Sequence, residues 1–185
     1  LPWADLFAPV GKGARRWTYA EAEAYVINQF GTYSGRLADV AKRAMAGRWV
    51  DAEPRDGKRD GAFCMSMQAD ESRILMNFSG SFNSVQTLAH ELGHAYHNVN
   101  LADRTALQRS TPMPFAETAS IFSETLVTTA ALDDAQGDDR LAMLDAFLEN
   151  ASQVVVDIHS RFFTESRIFE LRARRELSVE QLCET

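Results

Sequence analysis

The stretch TLAHELGHAYHN, residues 87–98, sets three histidines and a glutamate within eight positions. Its centre, His90-Glu91-Leu92-Gly93-His94, has the form H-E-x-x-H. On a helix, two histidines four positions apart project from one face about one turn from each other. They can therefore share one tetrahedral zinc ion. Glu91 stands one position along, within reach of a water on that metal. The chemistry this points to is hydrolysis, with Glu91 as the general base and His90 and His94 as metal ligands.

A third ligand has to come from elsewhere. His97 lies seven residues beyond His90, about 10 Å along a helix axis, too far for one ion with bonds near 2 Å to hold both and His94 as well. The longer motif H-E-x-x-H-x-x-G-x-x-H needs glycine where His97 stands and histidine where Asn100 stands, and fails at both. His97 is therefore read as a residue of the cleft wall or a support for a ligand. The segment PFAETASIFSETL, 114–126, offers carboxylates instead. Helical spacing puts Phe115, Ala119, Phe122, Leu126 and Ala130 on an apolar stripe and leaves Glu117 and Glu124 together on the opposite face. Either acid could complete a His2Glu set and leave the fourth position open. Glu117 follows His94 by 23 residues, enough for a helix end, a loop and a return.

The elements that must hold these residues are mostly helical. Residues 84–99 place Val85, Leu88, Leu92, Ala95, Tyr96 and Val99 on one stripe and the histidines on the other side. Gly93, a poor helix former, leaves room near the metal. A second helix covers about 114–132. Upstream, 18–46 reads as helical, with Thr18 as N-cap, Glu21 closing a capping box, and Gly31 and Gly35 as breaks. The charged stretch 51–61 is a loop. The runs AFCMSM and RILMNF, joined by QADES, predict a β-hairpin at about 62–78. Downstream, one long helix is expected over 139–176, and a further element opens at Ser178 as N-cap. His159, in the apolar stretch VVVDIHSRFF, is expected in a core or an interface. The fold class is thus mainly α, with a small antiparallel hairpin or sheet, in a single domain spanning 1–185.

Bulk properties narrow the function. The 185 residues carry 19 Lys and Arg against 26 Asp and Glu, for a net charge of −7. Residues 61–185 hold nine basic and eighteen acidic side chains, which argues against nucleic acid as a partner. No apolar run is long enough to span a bilayer, so no membrane association is expected. The start, Leu1-Pro2-Trp3-Ala4-Asp5, has neither the basic nor the apolar region of a signal peptide. Two distant cysteines, Cys64 and Cys183, form no disulfide framework, and a cytoplasmic setting is expected.

Several segments in order carry a resemblance: GKRDGAFC (57–64), ILMNFSGS (74–81), TLAHELGHAYH (87–97), PFAETASIFSE (114–124) and RFFTESRIFE (161–170). Together they resemble the zinc oligopeptidases related to thimet oligopeptidase, most closely the bacterial oligoendopeptidase F branch. The resemblance implies a multi-helical zincin-type catalytic core with one zinc ion per chain. It implies His90, His94 and Glu117 as ligands and Glu91 as base. It further implies that Gly61, Ala62 and Phe63 border the substrate cleft, where an oligopeptide would pair as an added strand. Glu124 is then a candidate to accept the free N–H of a liganding imidazole. Members of the family extend beyond both ends of these 185 residues, and a later segment supplies His and Tyr donors to the reacting centre. The sequence is accordingly expected to be a piece of a larger peptidase that binds zinc but turns over peptides weakly or not at all by itself.

The expected function is a zinc metalloendopeptidase acting on short oligopeptides. Two alternatives are weighed against it: a related zinc carboxypeptidase, and a zinc- or peptide-binding module without catalysis. The ligand types favour zinc, though such a set also accepts cobalt or manganese.

Overall fold

The computed structural model describes residues 15–68, 70–173 and 175–185. By internal contacts it divides into two compact units, with the boundary at Asp139/Arg140. Sequence reasoning had expected one domain over 1–185.

The larger unit is built on two helices that follow each other closely. The α1 helix, Tyr19–Tyr33, opens on the expected capping box: Thr18 Oγ1 accepts from Glu21 N at 3.2 Å, and Glu21 Oε2 accepts from Thr18 N at 2.8 Å. The break expected within 18–46 falls at Ser34, whose backbone is extended, and α2 then covers Gly35–Ala46. Ala22, Val26 and Phe30 of α1 and Leu37, Ala38 and Ala41 of α2 are buried in one cluster.

The hairpin is present. Strand β2, Phe63–Gln68, pairs antiparallel with β3, Glu71–Leu75. Its connection is shorter than predicted. A third strand joins it at the start of the stretch read as a loop: β1, Val50–Asp51, runs parallel to β3 with Val50 opposite Ile74. The sheet order is β1-β3-β2, so it is mixed rather than purely antiparallel. Two residues are too few to carry an alternation of their own, and their pairing depends on a partner distant in sequence. Central β3 buries Ser72 and Ile74, and Met76 just beyond it, while β2 lies at one edge.

The loop between β1 and β2 is held by a buried cation. The Lys58 side chain is 1% exposed, and its ammonium donates to the Asp51 carbonyl at 2.9 Å, the Asp51 carboxylate at 3.1 Å and the Glu53 carbonyl at 2.9 Å. Arg55 grips the same carboxylate through two bonds of 2.7 Å. These hydrogen bonds from Arg55 and then Lys58 hold the Asp51 carboxyl well below its ordinary range. At the far end of the loop, Asn77 donates to the Arg59 carbonyl at 2.9 Å. Gly61, with φ +85°, then turns the chain into β2, a conformation that a side chain would resist.

The α3 helix, Phe82–Asn100, is central to this unit and packs against α1, α2, β2 and β3. Val85, Leu88, Leu92 and Ala95 of the predicted stripe are buried in the core with Phe30, Ile74 and Met76. The α4 helix covers Thr118–Asp134, after a single 3-10 turn at Met113–Phe115.

The smaller unit holds most of α5 (Gly137–Ser152), then a π-helical turn (Gln153–Asp157), α6 (Ile158–Arg172) and α7 (Val179–Cys183). The long helix expected over 139–176 is thus interrupted at its middle and ends at Arg172. Ser178 caps α7 through a capping box with Gln181. None of these elements contains a buried residue. His159 is exposed, its ring centroid 4.7 Å from that of Phe163 in an edge-on contact, so the expectation of a core position is corrected. An apolar run is buried only where another element covers it, and none of the described elements of this unit buries α6. No described helix is long and apolar enough to cross a membrane.

One prediction follows from the Lys58 clasp. Lys58→Met keeps the apolar stem but removes the donor shared by three oxygens. It should lower the thermal midpoint by a few degrees and speed proteolytic cleavage within 52–61, measured by thermal denaturation and limited proteolysis.

Candidate metal centre

Two helices meet at Gly93. A Cβ placed there would lie 2.6 Å from the Ala119 carbonyl oxygen, 2.8 Å from Ser120 Cα and 2.8 Å from Ser123 Oγ. The glycine makes room for the backbone of α4, not for the metal as its sequence position had suggested. The buried face of α4 follows from the same approach: Ser120, Ser123, Val127, Thr128 and Ala131. The apolar stripe expected on this helix is therefore misplaced. Phe115 is 63% exposed and Phe122 43% exposed, and only Leu126 packs against the core. Helical periodicity locates a greasy face, but a backbone-to-backbone crossing selects the small face instead.

Thr128 fastens the crossing. Its hydroxyl accepts from Gln86 Nε2 of α3 at 2.9 Å and donates to the Glu124 carbonyl at 2.8 Å. Tyr25 of α1 donates to the Val127 carbonyl at 3.4 Å.

The crossing brings His90, His94 and Glu117 together. One donor atom from each lies within 4.8 Å of the others, the one such cluster found among the described residues. Glu117 Oε2 stands 3.2 Å from His90 Nε2 and 3.1 Å from His94 Nε2. Ligands of a tetrahedral zinc with bonds near 2 Å are separated by roughly 3.3 Å, so this donor set fits such an ion. Glu117 is the N-cap residue of α4 rather than part of its helical face, because the chain turns into α4 later than predicted.

Glu124 approaches His90 from the other side. Its Oε2 lies 3.2 Å from His90 Nδ1. A proton on Nδ1 directed at this carboxylate leaves the Nε2 lone pair facing His94 and Glu117. The same contact, ahead of the opposing effect of burial, raises the His90 pKa above its ordinary value. Burial lowers that of His94, which favours the neutral, ligating form. For Glu117, burial acts upward, but the Ser120 hydroxyl at 2.6 Å from Oε2 and the two imidazoles outweigh it and hold the carboxyl low. Ser120, Gln86 and Thr128 were not picked out from sequence. A serine three positions after Glu117 was the one local sign available.

Glu91 is 5% exposed, and its Oε2 is buried without a hydrogen-bonding partner among the described residues. Burial pushes its pKa up to about 7, against the attraction of His90 and with the repulsion of Glu117. A buried carboxylate oxygen lacking a protein partner beside three convergent donors is what a site for water and a cation requires.

His97 sits in the last turn of α3 and contributes no atom to the three-residue cluster. Gly61, Ala62 and Phe63 lead into the outer strand β2. The inward side chain of that strand, Cys64, lies 3.9 Å from Asn98 of α3 and is close enough to Glu91 to feel its charge, which ties the strand to the helix that carries the motif.

Comparison with known proteins gives the family and the fold. Residues 31–167 match the sequence model of peptidase family M3. Oligopeptidase PepF of Bacillus subtilis is 30% identical over 154 residues, covering 78% of this chain and 22% of its own. The chromosomal oligoendopeptidase F of Lactococcus lactis subsp. cremoris is 25% identical over 175 residues, covering 94% of this chain and 29% of its own. The chain thus spans less than a third of these relatives. The solved structure of an oligoendopeptidase F-type protein from Bacillus anthracis superposes on the whole chain and 34% of its own, with a TM-score of 0.79 at 17% identity. That likeness establishes the fold, mainly helical with a small sheet.

Gly93→Ala tests the crossing. The helix gains about 1 kcal/mol in propensity, but overpacking against the α4 backbone costs about 1–3 kcal/mol. The expected outcome is a net loss of thermal stability together with weaker zinc binding, read by calorimetry, because α4 cannot retreat without carrying Glu117 away from the histidines.

Proposed function

The chain belongs to peptidase family M3, and on that premise we propose that it carries the zinc-binding core of a metalloendopeptidase that hydrolyses peptide bonds in short oligopeptides. The observation that carries this reading is the convergence of His90, His94 and Glu117 beside the buried carboxylate of Glu91. Zinc, when bound there, supplies Lewis-acid activation of water and of the peptide carbonyl.

The protein's own residues do the rest. Glu124 holds the proton of His90 on Nδ1 and so keeps Nε2 free to bind metal. Ser120 donates to Glu117 Oε2 and fixes the carboxylate in place. Glu91 takes a proton from the attacking water onto its carboxylate and delivers it to the leaving amine nitrogen. Its pKa near 7, set by burial, matches that double task better than an ordinary carboxylate would. Gly61, Ala62 and Phe63 bring the peptide in, through main-chain hydrogen bonds to the edge of β2. Both described cysteines are free thiols, in keeping with a cytoplasmic protein.

Two experiments test the assignment in the full-length protein that contains these 185 residues. Glu91→Gln should retain stoichiometric zinc and lose at least a hundredfold in kcat against internally quenched peptides with blocked ends. Equal activity would remove the proposed base, and cleavage confined to peptides with a free carboxyl terminus would favour a carboxypeptidase. Glu124→Ala should weaken zinc affinity by about 10- to 100-fold, measured by competition with a chromogenic chelator.

A further inference from the structure

Strand β2 presents two different faces. Its register sets Cys64 opposite Ile74 and Ser66 opposite Ser72, both buried on β3, so these two side chains face α3. Phe63 and Met65 alternate with them, opposite Leu75 and Arg73, and point away from the helix. Beyond Ser66 the register slips, so the regular alternation is confined to the first four residues. Phe63 is 41% exposed and Met65 52% exposed, two large apolar side chains left uncovered on an edge strand. The remaining edge of β2 pairs with no described strand.

The reason this pair matters is where the strand lies. Cys64, between the two, reaches Asn98 on the helix that carries His90, Glu91 and His94. A peptide added to the free edge therefore runs past the metal centre with its side chains alternating in step with those of β2. Side chains on the Cys64 face turn toward α3. Those on the other face lie directly beside Phe63 and Met65, where cross-strand neighbours are about 5 Å apart.

We infer that Phe63 and Met65 are specificity-determining residues, which select apolar side chains at two substrate positions separated by one residue. This rests on the proposed peptidase reading and deepens it: main-chain pairing holds any peptide, and the outward apolar pair ranks peptides by composition. The intervening substrate position, facing the helix, is not ranked by this pair. A polar or charged residue beside Met65 is disfavoured because it loses water without gaining a partner.

The test uses the zinc-loaded full-length protein that contains these 185 residues and a set of blocked, internally quenched peptides in which one position at a time carries Leu, Ser or Glu. The wild type should favour Leu over Glu, by kcat/KM, at two positions separated by one. Met65→Lys should reverse that order at one of the two, with a swing of about fivefold or more, since an opposite-charge pair replaces an apolar one. The neighbouring Arg73 cannot neutralise the new lysine. Phe63→Lys should reverse the order at the other position, two residues away. Because both sites are exposed, folding and zinc content should match the wild type, checked by circular dichroism and metal analysis. Active variants with unaltered preferences at every position, or changes spread evenly over all positions, overturn the inference and leave the peptidase reading standing. A zinc-loaded wild type that cleaves none of the set overturns both.

Discussion

The candidate site depends on how closely two helices approach. At Gly93 the backbone of α4 occupies the space a Cβ would fill. Helices separated by ordinary side chains lie 8–10 Å apart, and at that spacing a carboxylate at the start of α4 would stand farther from the histidines of α3. The small face of α4, Ser120 and Ser123 above Val127, exists to allow the approach, and the Gln86–Thr128 bond locks it. Stability alone would have favoured alanine at position 93 and larger apolar residues opposite. The sequence departs from both preferences at the point where the crossing brings His90, His94 and Glu117 together.

Around that crossing, charge is arranged in layers. His90 receives Glu117 at one ring nitrogen and Glu124 at the other, so the two acids share one imidazole and divide its roles. Glu117 is held by Ser120, and Glu124 by the helix that Thr128 anchors. Glu91 differs from both. It is buried, and its free oxygen has no partner among the described residues. The three acids differ in what each carboxylate touches, and on the proposed reading one ligates, one orients and one carries a proton.

Much of this was legible locally. The motif at 90–94, the capping box at Thr18, the N-cap at Ser178, the stripe on α3 and the hairpin all rest on spacings within one element, and each is found. The failures share a cause. Strand β1 needed a partner distant in sequence, and the helix around His159 is buried by none of the described elements of its own unit. The stripe on α4 obeyed the periodicity but lost to the helix crossing, which ranks residues by size rather than hydropathy.

The sequence by itself determined the donor types and the separation of His90 from His94, because one helical turn is a property of the local backbone. It also named Glu117 and Glu124 as the acids available on the next helix, with the family resemblance choosing Glu117 as the ligand. Only the tertiary structure decided how the three acids are placed: Glu117 at Nε2 and Glu124 at Nδ1 of His90, and Glu91 buried. Distances between elements are set by which side chains are absent at their contact, and Gly93 acquires that meaning only when α4 lies against it.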